Sequence, residues 1–142
     1  MKKLLLSLIL IFLSSNAMAE WTYLGKSEKG DVYSDIERIE YVDTGSRVSI
    51  WILFNFKKAQ LMNGYQSLSS KDLFEFDCKR NLFRIPFIEK YSTQMGKGEA
   101  FMKSNRVPSD ESLEWLPIDV DNFMLSTIYT TLCSVKIARQ NK

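Results

Sequence analysis

The 142-residue chain contains 19 Lys and Arg residues, 17 Asp and Glu residues and no histidine. Nearly balanced and interspersed charges lack the clustered basic face that nucleic-acid binding demands, so no nucleic-acid partner is predicted. The lack of histidine also excludes the Ser-His-Asp and Cys-His catalytic arrangements.

The first 19 residues have the pattern of a secretory signal peptide. Lys2 and Lys3 form a basic start, an apolar run covers residues 4–13, and Ala17-Met18-Ala19 is a small-x-small cleavage site. Ten apolar residues are too few to span a bilayer, which takes about 20. We therefore expect cleavage between Ala19 and Glu20, without a lipid-attachment cysteine, and an exported, soluble product that is periplasmic, secreted or associated with the cell surface.

The segment after the signal, residues 20–142, is predicted to be a single domain. Its 123 residues are a usual domain size and contain no internal repeat, low-complexity tract or linker rich in Gly, Pro or Ser. Loss of Lys2 and Lys3 with the signal leaves its net charge at zero. The slight basicity of the full chain therefore belongs to the signal.

The N-terminal half of this domain alternates apolar and polar residues, which predicts strands. We predict strands over residues 21–24, 31–34 and 47–56, with turns at 28–31 and 43–46. Residues 36–39 are predicted to form one helical turn, which Asp35 is placed to cap. A loop is predicted from residue 57 to residue 70.

The strand at 47–56 is the clearest in the chain because one of its faces is wholly apolar. Its other face carries Trp51 and Leu53, which indicates a central strand that is at least partly covered on both sides. One helix can shield only part of one side of a wide sheet. Trp51 and Leu53 are therefore a candidate interaction face, for a partner or for a second copy of the chain.

The C-terminal half predicts further strands and then a helix. Strands are predicted at 73–78, 82–91 and 99–103, with turns at 79–81 and 95–98 and a polar loop at 105–112. Pro86 places its strand at an edge or at a bulge. The whole pattern predicts an α+β fold, an antiparallel sheet of about five to seven strands packed with one C-terminal helix.

The predicted helix starts near Asp121, where the apolar period changes to helical spacing. Asp119 or Asp121 is the expected N-cap. The inward-facing residues are Met124, Leu125, Ile128 and Leu132, and Cys133 is expected in the last helical turn. The last seven residues are polar enough to fray.

The two cysteines, Cys78 and Cys133, are predicted to pair. In an exported chain, one lies on an inward strand face and the other on the helix that should cover that face. Buried free thiols are the alternative. No metal site or catalytic thiol is predicted, because the chain lacks a C-x-x-C pair and a histidine base.

No other pattern indicates catalysis or a cofactor. Glu75 and Asp77 share a strand face, as a glycosidase would need, but a solvated strand face explains them equally well. Two basic pairs remain, Lys57-Lys58 and Lys79-Arg80, the second at a predicted turn. Both pairs are interpreted as solvated loop ends, with a basic ligand patch as the alternative.

The chain resembles the surface-adhesin protein E family. The resemblance is carried by W-x-L-x-N-F-K-x-x-Q at residues 51–60 and S-S-K-x-L-x-E-F-D-C at 69–78, with support from residues 20–35, "MGKG", "EWLPI" and the C-terminal helix with its cysteine. It implies an antiparallel sheet packed on a helix. For the members that named the family, it also implies attachment to host extracellular-matrix and plasma proteins at the bacterial surface.

Two functions from different classes follow. The first is an exported, non-enzymatic binding module that recognises a protein ligand through its sheet face or loops. The second is a periplasmic small-ligand carrier or an inhibitor, in which the apolar surface around Trp51 and Leu53 lines a small-ligand pocket or an oligomer interface.

Overall fold

A computed structural model of the chain describes residues 21–42, 46–105, 113–119 and 121–140. The signal segment, the predicted cleavage site and most of the 43–46 turn and of the 105–112 loop lie outside these residues. The described part contains seven strands, one α-helix and one 3-10 turn at Gln94–Gly96. The strands are β1 (Thr22–Lys26), β2 (Gly30–Val42), β3 (Arg47–Met62), β4 (Tyr65–Asp77), β5 (Leu82–Tyr91), β6 (Met102–Asn105) and β7 (Leu116–Pro117), and the helix is α1 (Phe123–Gln140).

The strands form one antiparallel sheet in the order β1-β2-β3-β4-β5-β6, with β7 also paired to β5. Each of the first six strands therefore lies beside its neighbour in the chain. This architecture confirms the predicted α+β fold of an antiparallel sheet with one C-terminal helix.

The helix α1 packs on one face of the sheet and forms the core with it. Because side chains alternate along a strand, every second residue of β3 points toward the helix. The core residues from the strands are Val32, Val48, Ile50, Ile52, Phe74 and Phe76, and those from the helix are Leu125, Ile128, Leu132 and Cys133. We call the opposite side, which carries Trp51, the helix-free face.

Residues 36–39 do not form the predicted helical turn. They lie within β2 as a wide bulge, because Asp35 pairs with Trp51 and the next pair joins Glu40 to Ser49. Asp35 nevertheless acts much as the cap prediction requires: its Oδ1 accepts a hydrogen bond from the Arg38 amide at 3.3 Å. The helical signal was local, and the pairing of the flanking residues with β3 overrode it.

The loop predicted at 57–70 is also wrong. Strand β3 continues to Met62, and β4 begins at Tyr65, so the two strands form a long hairpin around a two-residue turn. The turn residues Asn63 and Gly64 have φ of 51° and 81°. Positive φ at both positions is the geometry of a type I′ turn, which Asn-Gly favours.

Pro86 lies at a bulge, as predicted. The pairing of β4 with β5 shifts between Leu73–Phe87 and Glu75–Arg84, which leaves Ile85 and Pro86 out of register. β6 pairs with Phe87 and the residues after it, and β7 pairs with Leu82 and Phe83. The proline therefore stands between the two outer strands, where its missing N–H costs no ladder bond.

The N-cap of α1 is Asn122, not Asp119 or Asp121. The Oδ1 of Asn122 accepts a hydrogen bond from the Leu125 amide at 3.1 Å, the standard capping contact. The helix runs to Gln140, so Cys133 lies in its middle and not in the predicted last turn.

Candidate functional site

A disulfide joins Cys78 to Cys133, as the sequence predicts, with Cα atoms 5.5 Å apart. Cys78 follows β4 and starts the turn into β5, and Cys133 lies on the face of α1 that packs on the sheet. The bond therefore fixes the helix against one end of the sheet. Tyr129 on the same helix contacts this end as well, since its hydroxyl hydrogen-bonds the Asn81 side chain.

Three apolar residues form a row across the helix-free face. Trp51 pairs with Leu73, and Leu73 pairs with Phe87 on the next strand. The rings of Trp51 and Phe87 meet edge to face with centroids 5.4 Å apart, and the Arg38 guanidinium lies 6.0 Å from the indole centroid. All three members of the row are partly exposed. We call this set the Trp51 row.

Leu53, the other residue of the predicted interaction face, is fully buried. It pairs with Tyr33 and Lys71 on the neighbouring strands. Trp51 is therefore the member of the predicted pair that is accessible to solvent.

Charged groups flank the Trp51 row on one side. Lys71 lies there with its ammonium 4.7 Å from the Tyr91 ring centroid and 6.0 Å from that of Trp21. Burial lowers the pKa of Lys71, although the nearby Glu89 carboxylate opposes the shift. Glu89 in turn contacts Lys103 on β6 at 3.4 Å.

A buried ion cluster flanks the row on the other side. Glu75 binds Arg84 at 2.8 Å and Arg47 at 3.2 Å. The Trp115 ring lies over Arg84, 4.4 Å from ring centroid to guanidinium carbon, and over Arg80 at 5.2 Å. The segment before β7 thus covers this end of the helix-free face.

Exposed apolar residues lie at the end of the β3–β4 hairpin, and the sequence interpretation missed them. The exposed fractions are 75% for Leu61, 38% for Met62 and 63% for Tyr65. Tyr65 stacks on Phe101, with ring centroids 5.4 Å apart. We call Leu61, Met62 and Tyr65 the hairpin tip. The Asn63-Gly64 dipeptide between them was the available sequence signal.

The two basic pairs do not form one patch. Lys57 and Lys58 lie in β3 and not at a loop end, whereas Lys79 and Arg80 lie in the β4–β5 turn, as predicted. That turn follows Asp77, which pairs with Arg47 at the start of β3. Ten residues of β3 separate Arg47 from Lys57, a distance of roughly 33 Å. The two basic pairs therefore lie far apart along the sheet.

In the described ranges, no group of three or more His, Cys, Asp or Glu side chains is placed to hold a metal ion. Among the same residues, no helix is both long and apolar enough to cross a membrane.

The fold of this chain is similar to crystal structures of Haemophilus influenzae protein E. Crystal form II matches with a TM-score of 0.60 at 15% identity over 86% of this chain and 93% of that one. A second protein E structure matches with a TM-score of 0.56 at 17% identity over 80% and 85%. Protein E from non-typeable Haemophilus influenzae matches with a TM-score of 0.55 at 17% identity, over 84% of this chain and 79% of that one.

Among curated protein sequences, none matches the chain significantly. The family profile described as surface-adhesin protein E matches residues 21–134, which include all seven strands and most of α1. The resemblance noted in the W-x-L-x-N-F and E-F-D-C motifs is therefore confirmed: this chain belongs to the surface-adhesin protein E family.

Proposed function

We propose that this protein is an exported, non-enzymatic binding module that attaches to a protein ligand. Family membership supports the adhesin class. The ligand class that the family resemblance implies is a host extracellular-matrix or plasma protein.

The hairpin tip carries this proposal. Soluble proteins bury most large apolar side chains, and clustered exposed ones usually mark an interaction site. Leu61 and Tyr65 expose 75% and 63% of their surface at the end of the hairpin. Leu61 pairs with Gln66 and Met62 with Tyr65, so Leu61 lies on one face of the hairpin and Tyr65 on the other. The type I′ turn holds the two strand ends in register, so little backbone entropy is left to lose when the tip binds.

The Trp51 row is proposed as a second contact surface. Tryptophan and arginine are enriched among the residues that contribute most to protein interfaces, and the rim around such residues is polar. Here Arg38 lies over Trp51, and charged residues flank the row on both sides.

The test measures binding of the purified protein to a panel of immobilised extracellular-matrix and plasma proteins. A variant with Leu61→Ser and Tyr65→Ser should bind at least about tenfold more weakly than the unmodified protein, the loss expected for interface anchors. Trp51→Glu should weaken binding separately if the row also contacts the ligand.

Leu116→Ser is the matched control, because Leu116 is 43% exposed but pairs with β5 at the far end of the sheet from the tip. Its affinity should stay within about twofold of the unmodified protein. Circular dichroism and thermal unfolding identify any variant that fails to fold. Equal binding by the folded tip variant would contradict the tip assignment. The absence of binding to the whole panel would favour the small-ligand alternative.

Location tests the same proposal independently. An adhesin should be labelled on intact cells by a membrane-impermeant reagent. Release by osmotic shock alone, without surface labelling, would contradict surface display and favour a periplasmic role.

A further inference from the structure

A cavity of about 340 Å³ lies between α1 and the β1–β2 edge, on the helix side of the sheet. Its volume is at the lower end of the roughly 300–1,000 Å³ range of small-molecule sites. The apolar lining residues are mainly aliphatic and include Leu24, Ile36, Ile39, Ile50, Ile128 and Leu132. The cavity therefore suits an aliphatic ligand.

Small residues and a bulge leave this space open. Gly25 and Ser34 line the cavity from neighbouring strands, and a Cβ atom placed on Gly25 would meet no other atom within 4 Å. The bulge of β2 contributes Ile36 and Ile39 to the wall from outside the regular ladder. The helix thus meets this edge of the sheet over a gap and not over a packed layer of side chains.

Ser34 provides a polar group at the inner wall of the cavity. It pairs with the core residue Ile52, so its side chain points to the helix side of the sheet. Ser34 is fully buried, and its hydroxyl has no hydrogen-bond partner in the described part of the chain. A buried hydroxyl without a partner costs free energy. Because no partner holds it, this hydroxyl can turn toward a polar atom of an occupant.

Among the described residues that line the cavity, no charged side chain points into it. Lys26 is one of the lining residues, but it pairs with Asp31, next to the pair of Gly25 and Val32. Val32 belongs to the core, so the Lys26 side chain points to the helix-free face. A charged group of a ligand would therefore lose its hydration inside the cavity without gaining an opposite charge.

The mouth of the cavity is apolar. Phe123, in the first turn of α1, is 83% exposed, and Ile36 and Leu24 are 52% and 41% exposed. Exposed apolar side chains around an apolar cleft are costly unless something covers them. A ligand with one polar end should therefore direct that end inward to Ser34 and leave its hydrocarbon end at the mouth.

We propose that this cavity binds an uncharged, single-chain aliphatic alcohol. The ligand hydroxyl hydrogen-bonds the Ser34 hydroxyl, and the hydrocarbon chain lies along the aliphatic wall and reaches Phe123. An alcohol matches Ser34 because each hydroxyl can both donate and accept. This binding is independent of the proposed protein attachment, because the cavity shares no residue with the hairpin tip or the Trp51 row.

Isothermal titration calorimetry with octan-1-ol tests the proposal on delipidated protein in its exported form. Octanoate and octyltrimethylammonium, both below their micelle concentrations, provide the same chain with an anionic and a cationic head. Saturable one-to-one binding of octan-1-ol is expected. Both charged compounds should bind at least about tenfold more weakly, because neither head can be buried beside Ser34 without losing its hydration.

Ser34→Ala should weaken octan-1-ol binding about threefold to tenfold, the loss of one hydrogen bond. It should not lower the unfolding temperature, because the Ser34 hydroxyl has no partner in the described part of the chain. Ser67→Ala is the matched control: Ser67 is also fully buried, but it donates to the Ser69 carbonyl at 3.0 Å and does not line the cavity. That variant should unfold at a lower temperature and bind octan-1-ol normally.

Thr131→Trp should fill the cavity from the helix and weaken octan-1-ol binding at least about tenfold. Thr130→Trp is its matched control, because Thr130 is the adjacent exposed helix residue and does not line the cavity. The Ser34 and Thr131 variants change opposite walls, so either one tests the site if the other does not fold.

The proposal would be overturned by any of three results: no saturable binding of octan-1-ol, equal affinity for either charged compound, or unchanged affinity in the folded Ser34→Ala or Thr131→Trp protein. Hairpin-tip and Trp51 variants should bind octan-1-ol normally, which separates a failure of this proposal from a failure of the protein-binding proposal.

Discussion

Glu75 is a buried carboxylate that forms ion pairs with Arg84 and Arg47, and these partners determine its role. Glu75 and Arg84 are 7% and 5% exposed, and their ion pair lies beneath the Trp115 ring. A carboxylate and a guanidinium that are removed from water together are stabilised mainly by each other. This pair is thus better understood as a packed structural unit than as the catalytic carboxylate that the sequence alternative considered.

Glu75→Gln should lower the free energy of unfolding by about 3 kcal/mol, because Arg84 stays buried without the Glu75 charge. Urea unfolding measures the loss. Lys103→Gln is the control: it removes an ion pair whose lysine side chain is 59% exposed, so its loss should stay below about 1 kcal/mol. Equal losses in the two variants would contradict the structural role of the buried pair.

Asp72 should make stability depend on pH with the opposite sign from a typical paired carboxylate, because its pKa is raised and not lowered. It is 7% exposed, the Ser70 hydroxyl hydrogen-bonds it, and Lys90 donates to that hydroxyl at 3.0 Å. Burial raises the pKa of Asp72, and the Lys90 charge and the Ser70 hydrogen bond oppose that shift only in part. The folded protein therefore holds this proton more tightly than the unfolded chain does.

The contribution of Asp72 to the free energy of unfolding should fall as the pH rises from about 3.8, the pKa of Asp in the unfolded chain, through its raised pKa in the folded protein. Asp72→Asn removes this titration. Relative to the unmodified protein, the variant should become more stable as the pH rises from about 3.5 to 7. Urea unfolding at several pH values checks this. A stability difference that stays constant with pH would show that the carboxyl does not titrate with folding.

At the level of secondary-structure elements, local sequence patterns predicted the structure correctly where pairing with another strand did not change the local conformation. The strand at 47–56, the bulge at Pro86 and the inward face of α1 all follow from side-chain periodicity and proline chemistry. The helical turn predicted at residues 36–39 did not form, because the two ends of β2 pair with β3 and force the intervening residues out as a bulge. Register with a distant strand is not encoded in a local pattern.

The hairpin from β3 to β4 was missed for a different reason. Residues 57–62 are largely exposed, and their polar residues come before the apolar ones instead of alternating with them, so they lack the pattern that marks a half-buried strand. Asn63-Gly64 was the informative signal. The cavity of about 340 Å³ between α1 and the β1–β2 edge could not be predicted either, since it depends on how α1 meets the bulge of β2.

Asn122 should contribute more to helix stability than the two acidic residues that precede it, Asp119 and Asp121. Asn122→Ala should cost about 1 kcal/mol, because the Leu125 amide loses its capping acceptor. Asp121→Ala should cost less, since the capping contact remains. Thermal unfolding compares the two. A larger loss for Asp121→Ala would contradict the assignment of the cap.

The disulfide joins two elements that are 55 residues apart in sequence. Closing a loop of this length should stabilise the fold by roughly 4 kcal/mol in the chain-entropy model. Cys78→Ala and Cys133→Ala should cost similar amounts, because each breaks the same bond. Alkylation of the denatured, unreduced protein should label neither cysteine, and two labelled thiols would contradict the pairing.

At the scale of the whole molecule, one helix on one face of a six-strand meander leaves distinct surfaces with different chemistry. The helix side holds this mainly aliphatic cavity, and the helix-free face carries the Trp51 row between charged groups. The sequence was sufficient for the fold class and the family, because both depend on periodicity and motifs. Which surfaces stay accessible depends on packing between distant segments.

Export through a cleaved signal peptide is a prediction from the first 19 residues, and the mass of the mature protein tests it. We expect cleavage after Ala19, where the small-x-small site ends. Intact-mass measurement of the protein from the periplasm or medium should give the mass of residues 20–142 with one disulfide. Ala19→Arg should block cleavage and retain the apolar run, whereas Met18→Ser should leave cleavage unchanged, because the middle position of the site is not restricted. A native product that retains Lys2 and Lys3, or one that carries a lipid, would contradict this assignment and require a membrane-held adhesin.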